Sequence, residues 1–111
     1  MQVITEDPND TIPNINESMF RDKMLIAVLN ESNLGTFIGQ VMYDGGNYFF
    51  GGNNREGNGF GEWSISRSVS IIQLISKLWD QYKQYYEIKV YIIDNWQELA
   101  QVIQEASQCP N

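Results

Sequence analysis

Residues 36–65 read TFIGQVMYDGGNYFFGGNNREGNGFGEWSI, and this stretch decides the fold. Residues 36–43 (TFIGQVMY) have the β-branched and aromatic content of a strand. Asp44 and Gly45 follow, then 47–50 (NYFF); Asn58 and Gly59 precede a third run at 60–65 (FGEWSI). Asp-Gly or Asn-Gly between two such runs supplies residues that tolerate positive φ at the centre of a type I′ turn, whose twist matches the strands it joins. The stretch therefore reads as a meander of three strands. Seven of the chain's nine glycines lie between Asp44 and Gly61. Two tight turns do not account for Gly51, Gly52, Gly57 and Gly61, and these keep open a glycine-shaped recognition loop.

Upstream, residues 24–29 (MLIAVL) are apolar without a break. Two readings fit. A helix would gather Phe20, Met24, Ala27 and Val28 on one face, with Asn16 or Ser18 as its cap. A strand covered on both faces also gives an unbroken apolar run, and this reading is preferred. Residues 1–18 read as a polar, extended or mobile N-terminal arm, in which 2–5 is compatible with a short strand.

Downstream, residues 68–86 carry the clearest periodicity. At 100° per residue, Ile71, Ile72, Leu74, Ile75, Leu78, Trp79, Tyr82, Tyr85 and Tyr86 fall in one arc of about 160°. Ser66 or Ser68 is the expected cap. Residues 87–94 (EIKVYIID) alternate as a strand. Asn95 and Glu98 then form a capping-box pair for a helix whose apolar face is Trp96, Leu99, Val102, Ile103 and Ala106. Trp79 and Trp96 are both expected in the core.

These elements give an α+β domain. It is an antiparallel meander sheet of three to five strands, with a long helix over about 68–86 and a short C-terminal helix over about 95–106 packed on one face. Residues 19–111 form the single domain, and 1–18 the arm.

The net charge is −7, and it belongs to the chain ends. Glu6, Asp7, Asp10 and Glu17 stand at one end and Asp94, Glu98 and Glu105 at the other, with no base among them, while residues 21–89 balance seven acids against seven bases. Such a field repels nucleic acid and attracts basic surfaces. There is no histidine and one cysteine, Cys109, so neither a histidine-activated nucleophile nor a cysteine–histidine zinc site can be assembled. Asp44, Glu56 and Glu62 stand near the turn ends; a carboxylate pair there could bind a hard cation or move protons, but nothing in the spacing requires it and solvated turn charges are the preferred reading. The glycine-rich run lacks the lysine and the following helix of a phosphate loop. Residues 1–20 have no basic start and apolar core of a leader, and no run approaches a membrane span, so a soluble cytoplasmic chain is expected.

The function expected from size and charge is that of a small acidic protein-binding module, not an enzyme and without a cofactor. It would be an inhibitor, immunity or antitoxin type of protein that neutralises a basic partner such as a toxin or nuclease. The expected partner surface combines Asn53, Asn54, Arg55, Glu56, Asn58, Phe60 and Trp63 with the carboxylates of Asp94, Glu98 and Glu105. The alternatives are an accessory protein acting as a homodimer, and a small-ligand binder with a closed pocket lined by Tyr82, Tyr86 or Trp63.

Overall fold

The computed structural model describes residues 2–8, 17–20, 22–31, 35–53 and 60–107. The strands are β1 (Gln2–Ile4), β2 (Met24–Glu31), β3 (Gly35–Asp44), β4 (Asn47–Asn53), β5 (Phe60–Glu62) and β6 (Glu87–Ile93). Together they make one six-stranded sheet in the order β1-β6-β2-β3-β4-β5, with every neighbouring pair antiparallel. A 3-10 helix (Glu17–Phe20) precedes β2; α1 (Ile71–Tyr82) links β5 to β6, and α2 (Trp96–Ser107) follows β6. The α+β class stands, but the sheet has six strands rather than three to five. The extra pairing comes from the chain start, where Gln2 lies opposite Ile92 and Ile4 opposite Val90.

The unbroken apolar run at 24–29 is a strand because both of its faces are covered. Leu25, Ala27 and Leu29 point into one core with Ile88, Val90 and Ile92 of β6 and Leu74, Ile75 and Leu78 of α1. Ile26 and Val28 point the other way, into a second core with Tyr91 and Ile93 of β6 and Val102 of α2. The two helices therefore lie on opposite faces of the sheet, not on one face as the grouping of elements implied. β2 and β6 are apolar on both sides and need a cover on each.

The β3–β4 hairpin closes through Gly45 and Gly46, at φ 60° and 85°, between the paired Asp44 and Asn47. Positive φ at both centres is the I′ pattern, set one residue later than Asp44 and Gly45. Ser70, not Ser66 or Ser68, caps α1: its hydroxyl accepts from the Gln73 N–H at 3.3 Å. Ser68 is instead buried and pairs through its backbone with Tyr48. α1 ends at Tyr82, whose carbonyl accepts from both the Tyr85 and Tyr86 N–H groups and so turns the chain towards β6. No helix among the described residues is long and apolar enough to cross a membrane.

Candidate functional site: an apolar trough beside α2

The two faces of the sheet are covered unequally. On the α1 side, Phe37, Val41, Tyr48, Phe50 and Trp63 carry the core out to β3, β4 and the residue after β5. Trp63 stacks on Phe50 with ring centroids 5.5 Å apart, and its indole N–H donates to the Asn53 carbonyl at 3.3 Å. On the other side α2 packs over β6 and reaches β3, and the rest of β3, β4 and β5 has no layer above it among the described residues.

That uncovered half forms an open trough of about 740 Å³. Its floor is Met24 and Ile26 of β2, Ile38 and Met42 of β3, and Phe49 and Gly51 of β4. Its wall is one side of α2: Trp96, Leu99 and Ile103. Trp96 is 75 % exposed, Met42 47 % and Ile103 43 %. Trp96 thus belongs to the trough and not to the core, a correction to the expectation from helical spacing; Trp79, at 5 %, is in the core as expected. At Gly51 the floor has no side chain, and the nearest atom a Cβ there would meet is the Met42 sulfur at 2.8 Å, so the sheet surface is dented beside a flexible side chain.

Polar groups fix the two ends of the trough. At one end the Lys23 ammonium is hydrogen-bonded to the Asp94 carboxylate, which ties the approach to β2 to the start of α2. That bond holds the Asp94 carboxyl below its ordinary range, against a smaller opposing effect of lost solvent, and raises Lys23. Asn95 caps α2 by accepting from the Glu98 N–H at 3.0 Å, while the Glu98 carboxylate accepts from the Asp94 N–H at 3.0 Å. At the other side the Arg67 guanidinium lies 4.3 Å from the Phe49 ring centroid, donates to Glu62 at 2.6 Å and is 3.6 Å from Asp44. Asp44 and Glu62 are both drawn to Arg67, a cation of the chain itself, while Glu56 lies outside the described residues. The hydrogen bond to Glu62 raises the Arg67 pKa, so the guanidinium stays charged between them.

The residues expected to meet a partner divide into three groups. Asn54, Arg55, Glu56 and Asn58 lie outside the described residues, as does the side chain of Phe60. Asn53 and Trp63 are built into the sheet: the Asn53 side-chain oxygen accepts from the Ile38 N–H at 2.8 Å, and Trp63 covers the α1 side. Asp94 and Glu98 stand at the start of α2, and Glu105 is exposed near its end, beside Gln101. Tyr82, Tyr86 and Trp63 do not line the trough. Tyr86 packs edge-on against Phe37 and Tyr82, at 5.9 and 5.6 Å, on the α1 side. Burial raises the Tyr82 hydroxyl above its ordinary pKa, helped by Tyr86 beside it.

Ile38, Met42, Phe49 and Ile103 were not singled out from the sequence as site residues. A signal for them exists: β3 alternates Phe37 and Val41 with Ile38 and Met42, so it is apolar on both faces. Two α-helices of twelve residues and one 3-10 helix are available among the described residues to cover such strands. Comparison with protein-family models, curated proteins and solved structures gives no match.

Proposed function

We propose that the chain is a non-catalytic protein-binding module, of the inhibitor or immunity type, that seats an apolar segment of a basic protein in the trough beside α2. The observation that carries this reading is the grouping of exposed Trp96, Met42 and Ile103 around a floor dented at Gly51. Burying a large apolar side chain contributes about 1.5–3 kcal/mol. Aromatic anchors at the centre of a dry patch dominate protein interfaces. The surrounding charge supports a basic partner. The chain carries a net charge of −7, and α2 adds Glu98 and Glu105 with no base, although Glu105 lies on the flank of α2 away from the trough, beside Lys89. Such a field speeds association with a cationic surface and loses that advantage in salt.

The test is capture of partners from the native host by wild-type chain and by Met42→Glu and Ile103→Glu variants, at low and high salt. Both positions are exposed, so folding is kept and is checked by circular dichroism. Retention of a basic protein by the wild type, its loss in both variants and its weakening in salt are the expected results. Equal retention by the variants overturns the reading.

A second reading, a small apolar ligand, is favoured by one observation: the trough volume of about 740 Å³ falls in the usual range of about 300–1,000 Å³ for ligand sites. A trough without a roof leaves one side of such a ligand in water, which is why the protein partner is preferred.

A further inference from the structure

β1 closes the outer edge of β6 only in part. Gln2, Val3 and Ile4 face Ile92, Tyr91 and Val90, whereas on its other side β6 is paired with β2 along its whole length, Glu87–Ile93. Every second residue of a strand directs its N–H and C=O to the same side. At Glu87, Ile88 and Lys89 that outer edge has no strand beside it among the described residues.

The sequence explains why β1 stops. Continued in its register, Thr5 would face Lys89, Glu6 would face Ile88 and Asp7 would face Glu87. Two carboxylates directly opposite each other repel, and Pro8, the next residue, has no N–H to give a ladder. The chain turns off instead. The Asp7 side chain, 9 % exposed, reaches the Lys83 ammonium at 3.5 Å, and Pro8 is fully buried. β1 is thus a short strand held by Ile4 in the core and by one buried carboxylate at the corner after α1. Short strands at the end of a sheet are among the first elements to open. Removing β1 leaves the other five strands paired in order. Residues 5–16 separate it from the 3-10 helix and reach up to about 40 Å when extended, so β1 can leave without moving another strand.

We infer that the outer edge of β6 is a strand-addition site guarded by β1. An extended segment of a protein partner displaces β1 and pairs antiparallel with Glu87–Ile93, including the edge that β1 leaves open. Its chemistry follows from the residues it would face. Ile88 and Val90 point into the α1-side core, so apolar residues stand opposite them. Glu87, 67 % exposed, calls for a base where β1 would have placed Asp7. Strand addition draws affinity from main-chain bonds and specificity from alternate side chains. The site is separate from the trough, whose floor runs from β2 to β4, and does not depend on it.

Three peptides matched to the seven residues of β6 test it on the intact chain. The first carries leucine opposite Ile88 and Val90 and lysine opposite Glu87. The second differs from it by a proline opposite Tyr91, and the third copies residues 2–8. Each is added to the wild type and to Lys83→Ala, which takes away the partner of Asp7 at an exposed position. The readout is the NMR signals of the Ile4 and Ile88 methyl groups. The first peptide is expected to shift Ile88, to send Ile4 to its unfolded-chain position, and to bind at least about tenfold more tightly than the other two. The covalent link gives β1 a high effective concentration, so binding is expected to tighten in Lys83→Ala, where the guard is looser; binding seen only in that variant also supports the site. Equal binding of the proline peptide overturns strand pairing. Equal binding of the copy of residues 2–8 overturns the use of the open edge. Shifts that leave Ile4 in place, or that are confined to Gly61 on the opposite edge strand, overturn the guarded site, as does no response in either chain. Circular dichroism checks the variant, and if it does not fold the wild-type series decides alone.

Discussion

Gly39 is the seat of the Trp63 ring: a Cβ at position 39 would lie 2.5 Å from Cζ2 of the indole. Gly52, directly opposite Gly39 in the ladder, is equally confined, with a Cβ placed 2.3 Å from the Ile38 carbonyl oxygen and 2.7 Å from the Gly39 Cα. The two glycines make a flat place on the α1 side of the sheet where the indole lies against Phe50. Part of the glycine-rich stretch is thus packing, while Gly51, with its missing side chain on the opposite face, lies in the floor of the trough.

Gly52→Ala and Gly51→Ala are therefore expected to differ although they are adjacent. At Gly52 the obstructing atoms are backbone and cannot give way, so the loss is about 1–3 kcal/mol, the usual cost of overpacking. At Gly51 the obstruction is the Met42 sulfur, which can move into the open trough, and the loss is smaller. Urea denaturation of the two variants checks this, and equal midpoints would contradict it.

Two tryptophans on the two helices separate core from site. Trp79→Ala should cost about 3–5 kcal/mol, as for a large buried ring. Trp96→Ala should change stability by within about 0.5 kcal/mol, as for an exposed position, and yet weaken partner binding. Thermal and urea melts, read beside capture, test both halves.

The caps give a third comparison. Ser70→Ala removes the hydroxyl that accepts from Gln73 and should cost about 1 kcal/mol, whereas Ser66→Ala should cost little. The same urea series measures it, and the reverse order would place the start of α1 elsewhere.

The Lys23–Asp94 pair gives a pH dependence with a definite sign. The Asp94 carboxyl is held below its unfolded value, so the contribution of the pair is present above a pH of about 3.9 and is lost as pH falls through the lower native value. Both groups are solvent-exposed, so the effect is best followed on the group itself. Carboxyl NMR titration should place the Asp94 midpoint below about 3.9 in the wild type and return it upwards in Lys23→Met. An unchanged midpoint would mean that the ion pair does not persist in solution.

Much of the fold was legible because local chemistry and tertiary structure agree. Gly45 and Gly46 close a hairpin that the aromatic runs on either side already demanded. The unbroken run at 24–29 is what a strand between two layers needs. The helix ends were less legible. Tyr85 and Tyr86 fall in the same helical arc as Leu78, but the Tyr82 carbonyl takes both of their N–H groups and ends the helix. The trough was legible only as the two-faced apolar pattern of β3, not as a site. It depends on β6 entering between β1 and β2, which draws α2 over β6 and leaves β4 and β5 bare. That pairing joins residues more than sixty positions apart, such as Leu25 and Ile92, and no local spacing encodes it. Trp96 was misplaced for the same reason: helical periodicity finds an apolar face but not how far the layer beneath it extends.

The most direct test of the trough uses the three indole N–H signals of the chain. Trp96 lies in the trough, Trp79 in the opposite core and Trp63 on the α1 side of the sheet. On addition of the captured partner, the Trp96 indole signal should shift and become protected from solvent exchange, while those of Trp79 and Trp63 stay in place. A partner that moves Trp63 and leaves Trp96 untouched would contradict the assignment of the trough as the binding surface.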